Sequence, residues 1–407
     1  MESAINHYPE APSVGLIKAK NSFLHPRILT GHAKTFYLFK MWVNISFYSI
    51  IRYPNPIHLF KIVKRLLEHK KHYTVNNSYN KLSYVDGRVY FSLNNNGWPS
   101  NHFIRPIAIE AKEAIHKNVS HFENLRMVLI AFTKKCPLFC EHCYEGPELN
   151  KKDTLSLEDH KKILKKLQKT GISLFHFGGG DPMSKVNELI ELIDSAEKTA
   201  DFWIYTSGFN FTEINALRLK QAGLTGVSIS LDHHLPEYHN KFRRHTEAFN
   251  WVKLAAANAL KVKLVITLSI CVTREYCNTG NLFSYLELAR ELGASFIQLL
   301  EPRAVGNYAG KDVSLTSEHE TILEHFFTEA NTQTQYKLHP IVLYPAYFQR
   351  RSGCPGAGSK FLFIDTDGYM RSCPFCRNKK THILDDDHEV SIQEMKNEGC
   401  GKYSTLY

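Results

Sequence analysis

Between about residue 125 and residue 310, short apolar runs alternate with longer segments that have apolar residues at helical spacing. The first run, "LRMVLIAFT" at 125–133, predicts a buried strand. A helix is predicted after it, with Ser156 as N-cap and Gly171 as terminator. The same unit recurs, and the further runs that predict strands are "SLFHFGGGDP", "DFWIYTSG", "GVSISLD", "VKLVITLSICV" and "SFIQLLEPRA".

Six strands that each lead into a loop, and in most cases a helix, predict an α/β fold with a parallel sheet and right-handed crossovers. The length of the series suits a partial (β/α)6 TIM-like barrel. In such sheets ligands bind at the carboxyl ends of the strands. We expect three regions: an N-terminal cap at 1–120, the barrel at 121–310, and a cysteine-bearing C-terminal extension with a linker helix at 311–407.

Three cysteines, Cys136, Cys140 and Cys143, follow the first strand of the barrel. Nine cysteines in 407 residues are few, and residues 1–30 contain no apolar run of the kind a signal peptide has, so we expect reduced thiols in a cytoplasmic setting rather than disulfides. Zinc is the next alternative, but its structural sites usually pair one Cys-x2-Cys with another. His142 could be a fourth donor only with strain. The Cys-x3-Cys-x2-Cys spacing favours an iron–sulfur cluster with one open iron.

"CPLFCEHC" resembles the signature of the radical S-adenosylmethionine (radical SAM) superfamily, and the strand–helix series is similar to its partial barrel over about residues 121–310. The resemblance implies a [4Fe-4S] cluster on Cys136, Cys140 and Cys143 with S-adenosylmethionine on the open iron. It also implies that one electron cleaves S-adenosylmethionine and that the resulting 5′-deoxyadenosyl radical takes a hydrogen atom from a substrate. A reductant such as flavodoxin or ferredoxin would supply the electron.

The same resemblance suggests residues that bind S-adenosylmethionine. "GGGDP" resembles the family's GGEP element, with an aspartate in place of the usual glutamate. "TSG" at 206–208 resembles an element of the family after the third strand. "SISLD" at 228–232 resembles an element in the fourth strand, and it places Ser230 and Asp232 on one side of that strand. Arg243 resembles an arginine that pairs with the methionyl carboxylate, with Arg244 as an equally placed rival. The expected cofactor-binding residues are Gly178, Gly179, Gly180, Asp181, Ser207, Ser230, Asp232, Arg243 and His142, which stands where many relatives carry an aromatic residue.

A second group of cysteines, Cys354, Cys373 and Cys376, flanks "FLFIDTDGYMRS", which predicts a hairpin with an Asp-Gly turn. The group resembles a SPASM or twitch extension that holds an auxiliary [4Fe-4S] cluster, with Cys400 as fourth ligand or one iron left open. A zinc ribbon is the alternative. Cys271 lies in an apolar strand and is predicted to be core packing.

Residues 1–72 contain eleven Lys and Arg against three Asp and Glu, which is most of the net charge of +10. "HLFKIVKRLLEHKK" places Leu59, Ile62, Val63, Leu66 and Leu67 on one helical face with basic residues opposite. This pattern suits peripheral contact with an anionic membrane, for example at the inner membrane face, or a helix packed on the barrel. "NKLSYVDGRVYFSLN" predicts a hairpin over one edge of the barrel. No nucleic-acid-binding motif is present.

The expected function is radical modification of a ribosomally made peptide, because SPASM-like and twitch-like relatives often act on such peptides. A lipid or other hydrophobic small metabolite is the alternative substrate, and it would account better for the apolar, basic N-terminal stretch. A non-enzyme alternative is an iron–sulfur electron carrier or a zinc-stabilised binding protein. The glycine-rich elements argue against this last alternative, because neither role needs them.

Overall fold

A small N-terminal unit precedes the barrel in the computed structural model, which describes residues 25–73, 80–116, 120, 123–356, 358–376, 380–400 and 402–403. The expectation about a signal peptide falls mostly on residues 1–24, outside the described residues. The unit contains β1 (Arg27–Leu29), α1 (Gly31–Arg52), α2 (Pro56–Tyr73), β2 (Leu82–Val85), β3 (Arg88–Tyr90) and α3 (Asn101–Ile115). Its three strands form an antiparallel sheet in the order β1-β2-β3.

The central region alternates strands and helices as the sequence predicts. Its elements are β4 (Met127–Thr133), α4 (Leu157–Lys169), β5 (Leu174–Gly179), α5 (Val186–Ser195), β6 (Asp201–Thr206), α6 (Glu213–Ala222), β7 (Leu224–Ser230), α7 (Pro236–Arg243), α8 (Ala248–Lys261), β8 (Val265–Cys271), α9 (Thr279–Glu291) and β9 (Phe296–Leu300). The predicted cap of α4 is present. Ser156 Oγ accepts a hydrogen bond from Asp159 N, and the Asp159 carboxylate accepts one from Ser156 N.

The C-terminal region adds strands to both ends of this sheet. It contains α10 (Ser317–Thr332), β10 (Ile341–Leu343), α11 (Pro345–Ser352), β11 (Phe361–Ile364), β12 (Met370–Arg371) and α12 (His388–Glu398). The sheet order is β10-β9-β8-β7-β6-β5-β4-β11-β12. All pairings are parallel except that of β11 with β12. The predicted α/β fold with a mostly parallel, partial-barrel sheet is confirmed, and the β11–β12 hairpin lies beside β4.

The two faces of the barrel sheet bury different sets of side chains. One face packs against the helices through the large core that includes Val128, Phe175, Ile204, Val227 and Leu268. The other face carries a smaller cluster, in which Leu174, Trp203, Val265 and Phe296 pack against Tyr90 and Leu93. The hairpin β2–β3 therefore contacts the amino-terminal ends of the barrel strands. The sequence predicts this hairpin correctly. In the part of the chain that the structure describes, the hairpin pairs with no strand of the barrel sheet, but Arg88 Nη1 of β3 donates to Asp201 Oδ1 of β6 at 2.7 Å.

The helix α2 differs from its predicted packing. Ile62 is buried and Leu59 and Leu66 are half-buried, but Val63 and Leu67 are 45% and 52% exposed. The five residues therefore lie on one side of the helix as predicted, but only part of that side is buried. The helix is anchored on α3 by Arg65, which forms salt bridges with Glu110 and Glu113 at 3.1 and 3.2 Å.

Candidate functional site

The three cysteines of the first group lie in the loop after β4, at the carboxyl edge of the sheet. Cys140 is buried, while Cys136 and Cys143 are half-buried. Asn150 fixes the start of this loop, since its Oδ1 accepts from Cys136 N and its Nδ2 donates to Cys136 O, both at 3.1 Å. Asn150 thus holds the cysteine loop through its backbone and not through a sulfur atom.

The segment after β9 holds the rest of the loop. Asn307 Nδ2 donates to Cys140 O at 2.9 Å, and Asn307 N donates to Cys143 O at 2.9 Å. The neighbouring Gly306 has a φ of +59°, and a Cβ there would stand 2.1 Å from Cys143 O. A glycine is therefore required for this approach. The sequence analysis missed Asn307 and Asn150, because a lone asparagine outside a recognised motif produces no pattern.

The glycine-rich segment at the end of β5 packs against the cysteine loop. Gly180 N donates to Thr133 O at 2.7 Å, and Asp181 N donates to Lys135 O at 2.8 Å. A Cβ on Gly180 would stand 2.3 Å from Lys135 O. Gly178 has more room, with its nearest contact at 3.4 Å. Two glycines of this segment, Gly179 and Gly180, thus serve the close approach of two loops.

Asp181 joins the glycine-rich segment to the loop after β6. It is 1% exposed, and its carboxylate accepts from Met183 N, Thr206 Oγ1, Ser207 N and Ser207 Oγ at 2.6 to 3.1 Å. Burial raises the pKa of this carboxyl, and the hydrogen bonds from Ser207 oppose that rise. Ser207 was expected to bind S-adenosylmethionine, but in this structure its hydroxyl donates to Asp181 at 2.6 Å.

Arg243 and Asp232 form a buried ion pair beside the cysteines. Arg243 Nε lies 2.6 Å from Asp232 Oδ2, and Arg243 Nη1 lies 3.5 Å from Cys140 Sγ. Burial opposes the ionisation of Asp232, but the Arg243 guanidinium outweighs it, and the pKa of the carboxyl lies below its ordinary value. Of the two rival arginines, Arg243 faces the cysteines, whereas Arg244 is exposed with a φ of +55.

Ser230 and Asp232 do not share one strand. The strand β7 ends at Ser230, which is half-buried and pairs in register with Ser269 of β8. Asp232 lies in the loop beyond, where its Oδ1 accepts from Cys271 N at 3.0 Å and its N donates to His239 Nδ1 at 3.1 Å. The predicted common face of a strand is therefore wrong for this pair, although both residues stand at the carboxyl edge.

His142 presents a flat ring inside the cysteine loop. Its imidazole stacks on Phe242, with ring centroids 4.7 Å apart and planes within 14°. Its Nδ1 is buried and meets no hydrogen-bond partner among the described residues. Burial lowers the pKa of His142 to about 4. This histidine is therefore neutral near pH 7 and leaves a polar atom unsatisfied at the site.

The three thiols suit a cluster that takes them as thiolates. Burial raises the pKa values of Cys136 and Cys140, and it raises that of Cys143 to about 12. Thiols in this state ionise only when a cation compensates the charge, and coordination to a metal deprotonates them. The three sulfurs in one loop fit a [4Fe-4S] cluster. The unsatisfied Nδ1 of His142 fits a second bound molecule beside that cluster.

The four C-terminal cysteines lie together. Cys373 Sγ is 3.3 Å from Cys376 Sγ, and a hydrogen bond from Cys373 lowers the pKa of Cys376 to about 7. Burial first, and then the Cys400 thiol within hydrogen-bonding reach, raise the pKa of Cys354 to about 11. The structure therefore brings Cys400 to the other three. This group stands close to the first, since the ring of Tyr144 lies 6.2 Å from that of Phe375 in a T-shaped contact.

Within the described ranges, no three His, Cys, Asp or Glu side chains are grouped so that they could hold one metal ion. A [4Fe-4S] cubane differs from a single metal ion because each thiolate binds a different iron. Its cysteine ligands therefore stand farther apart than the ligands of one ion. Cys271, predicted to be core packing, is 7% exposed at the end of β8.

Comparison with known proteins identifies the family. The model of the radical SAM superfamily matches residues 130–276. A probable GTP 3′,8-cyclase of Saccharolobus islandicus is 26% identical over 290 residues, which cover 69% of this chain and 92% of the relative. A PqqA peptide cyclase of Streptomyces rochei is 28% identical over 258 residues, 61% of this chain and 68% of the relative.

Solved structures share the fold. Streptococcus suis SuiB bound to S-adenosylmethionine matches with a TM-score of 0.54 at 14% identity, over 76% of this chain and 74% of that one. SuiB bound to its precursor peptide SuiA matches with a TM-score of 0.54 at 14% identity, over 81% and 76%. The cysteine signature at the end of β4, the family match and the enzyme relatives agree. Residues 130–276 of this chain therefore form a radical SAM domain, and the enzymes of that superfamily use a [4Fe-4S] cluster and S-adenosylmethionine.

Proposed function

We propose that this enzyme reductively cleaves S-adenosylmethionine and modifies a ribosomally made peptide. When bound, the cluster and S-adenosylmethionine supply a 5′-deoxyadenosyl radical that abstracts a hydrogen atom from the substrate. The observation that carries the proposal is the contact of Arg243 with Cys140, at 3.5 Å, because it joins the predicted cofactor-binding residues to the cysteine loop at one edge of the sheet. A flavodoxin or ferredoxin is the proposed electron donor.

The chain's own residues divide into two roles in this proposal. Cys136, Cys140 and Cys143 hold the cluster through their sulfurs. Ser207 donates to Asp181 and Arg243 pairs with Asp232, and these two pairs position the loops around the cluster. The residues left to face S-adenosylmethionine are His142, with its flat ring and unsatisfied Nδ1, Ser230 at the end of β7, and the backbone around Gly178.

The C-terminal extension is proposed to hold an auxiliary [4Fe-4S] cluster on Cys354, Cys373, Cys376 and Cys400. The proximity of the four thiols supports this assignment. The Tyr144–Phe375 contact links Cys143 to Cys376 through residues adjacent to each. The proposed regions remain 1–120, 121–310 and 311–407.

A peptide substrate is supported by relatives named as PqqA peptide cyclases. Relatives named as GTP 3′,8-cyclases show that similar chains act on other substrates, so family membership alone does not fix this one. A lipid or hydrophobic metabolite is the second candidate, favoured by the exposed apolar side chains of α1 and α2. The non-enzyme alternative is wrong, because the relatives are enzymes. Peripheral contact with an anionic membrane is also proposed.

Co-expression with the peptide encoded by a short reading frame beside the gene tests the substrate. We expect a change in peptide mass that requires the wild-type cysteines at 136, 140 and 143. An unchanged peptide, with 5′-deoxyadenosine still formed by the anaerobically reconstituted enzyme, would exclude this peptide as the substrate and leave the cleavage activity intact.

A further inference from the structure

The outward face of α1 is apolar over its whole length. Phe36, Phe39, Val43, Phe47 and Ile50 recur at intervals of three and four residues, and each is more than half exposed. The opposite face of α1 already packs inward, where Tyr37, Leu38 and Met41 contact the small core around Leu29 and Trp98. The five exposed side chains are therefore not the ones that pack α1 onto the rest of the N-terminal unit.

The next helix repeats this arrangement. Ile57, Phe60, Val63 and Leu67 recur at intervals of three and four residues along α2 and are 45% to 71% exposed. Ile62, on the inner side of the helix, is fully buried. Apolar side chains exposed contiguously on adjacent helices exceed the scattered exposure that is normal for a soluble surface, and they mark an interaction site.

The charges around these side chains have one sign. Residues 25–73 contain nine Lys and Arg and one acidic residue, Glu68. Lys40, Lys61 and Lys64 are exposed, and Lys40 Nζ lies 4.7 Å from the Phe36 ring centroid. Arg65 is different, because its salt bridges to Glu110 and Glu113 hold α2 on α3. The side chains of Lys70 and Lys71 lie outside the described residues.

We propose that α1 and α2 form an in-plane membrane anchor, which inserts these apolar side chains into the interface of an anionic bilayer while the lysines contact its headgroups. An apolar face bordered by basic residues is the pattern of interfacial helices. No helix in the described ranges is long and apolar enough to cross a membrane. A second copy of the chain fits this face less well, because it would bring two strongly basic surfaces together.

Vesicle co-sedimentation of the full-length protein tests the anchor. The wild type is expected to bind vesicles of phosphatidylcholine with phosphatidylglycerol at low salt, and to bind phosphatidylcholine alone far less. The Phe39→Ser, Phe47→Ser, Phe60→Ser variant should bind at least about tenfold more weakly, because each phenylalanine contributes apolar area to insertion. The Lys40→Gln, Lys61→Gln, Lys64→Gln variant should lose on the order of 100-fold in affinity at low salt.

Matched controls use the same changes elsewhere on the surface. Ile214→Ser, Leu217→Ser and Leu254→Ser replace exposed apolar residues of α6 and α8, and that variant should bind vesicles as the wild type does. All variants should retain S-adenosylmethionine cleavage without substrate, because every replaced side chain is exposed on the outer surface of a helix. A wild type that fails to bind anionic vesicles at low salt would overturn the proposal. Vesicle binding by the serine variant at α1 and α2 equal to that of the wild type would also overturn it. A wild-type dimer in solution that this variant dissociates would do the same.

Discussion

Arg243 Nη1 lies 3.5 Å from Cys140 Sγ, while the same guanidinium is paired with Asp232. One side chain therefore links the end of α7 to a predicted cluster ligand and neutralises a buried carboxylate. The planar guanidinium can make both contacts because its donors are fixed in a fork, an arrangement that a lysine cannot reproduce.

Arg243→Gln should destabilise the protein by about 3 to 5 kcal/mol, since it leaves the Asp232 carboxylate buried without its partner. Arg243→Lys should cost less stability but still slow S-adenosylmethionine cleavage, because one ammonium cannot serve both groups. Arg244→Gln is the matched control, one position away and exposed. Thermal unfolding and 5′-deoxyadenosine formation measure the two effects. Wild-type values for Arg243→Gln would show that the ion pair has no role.

Asp181→Glu, which restores the residue usual in the family, should lower the melting temperature. The carboxylate is 1% exposed and accepts hydrogen bonds from Met183, Thr206 and Ser207. An added methylene in a packed site costs about 1 to 3 kcal/mol. Glu188→Asp, on the surface of α5, provides a control of the same size. An unchanged melting temperature for Asp181→Glu would mean that the loop adapts freely.

The sequence predicts the barrel well, because the periodicity of the strands and helices is a local signal. It misses α7, a short polar helix of eight residues. Ser207 illustrates a different limit, since the sequence places it only among the cofactor-binding residues, and the fold alone brings its hydroxyl to 2.6 Å from the Asp181 carboxylate. Asn307, which lies 167 positions from Cys140, leaves no trace in local sequence. Periodicity also does not reveal which apolar residues of α2 become buried.

Stability should fall as the pH drops below about 6.5. Burial lowers the pKa of His160 to about 4 and those of His176 and His239 to about 3. In the unfolded chain these histidines take up protons from about pH 6.5 downward, while in the folded chain they stay neutral. The free energy of unfolding therefore falls by about 2 kcal/mol per histidine by pH 5.

Melting temperatures measured between about pH 8 and pH 5 test this slope. His160→Leu should flatten the curve, whereas His325→Gln, at an exposed position on α10, should not change it. A His160→Leu curve parallel to that of the wild type would contradict the assignment.

Iron content should distinguish the two roles open to Cys400. Two cubanes predict about eight irons per chain, and replacing Cys354, Cys373 and Cys376 with alanine should leave about four with S-adenosylmethionine cleavage retained. If Cys400 is the fourth ligand, Cys400→Ser should lose iron from the auxiliary cluster only. Cys277→Ser, at a buried position in another part of the fold, is the control. Equal iron in wild type and triple variant, with zinc lost from the variant, would establish a zinc ribbon.

The most direct test of the account replaces Cys136, Cys140 and Cys143 together with alanine. The wild type, the triple variant and a Cys277→Ala control are reconstituted anaerobically with iron and sulfide and given S-adenosylmethionine and dithionite. Formation of 5′-deoxyadenosine is then measured. We predict wild-type formation by the control and none above background by the triple variant, because no thiolates remain to hold the cluster. Undiminished 5′-deoxyadenosine from the triple variant would contradict the central claim.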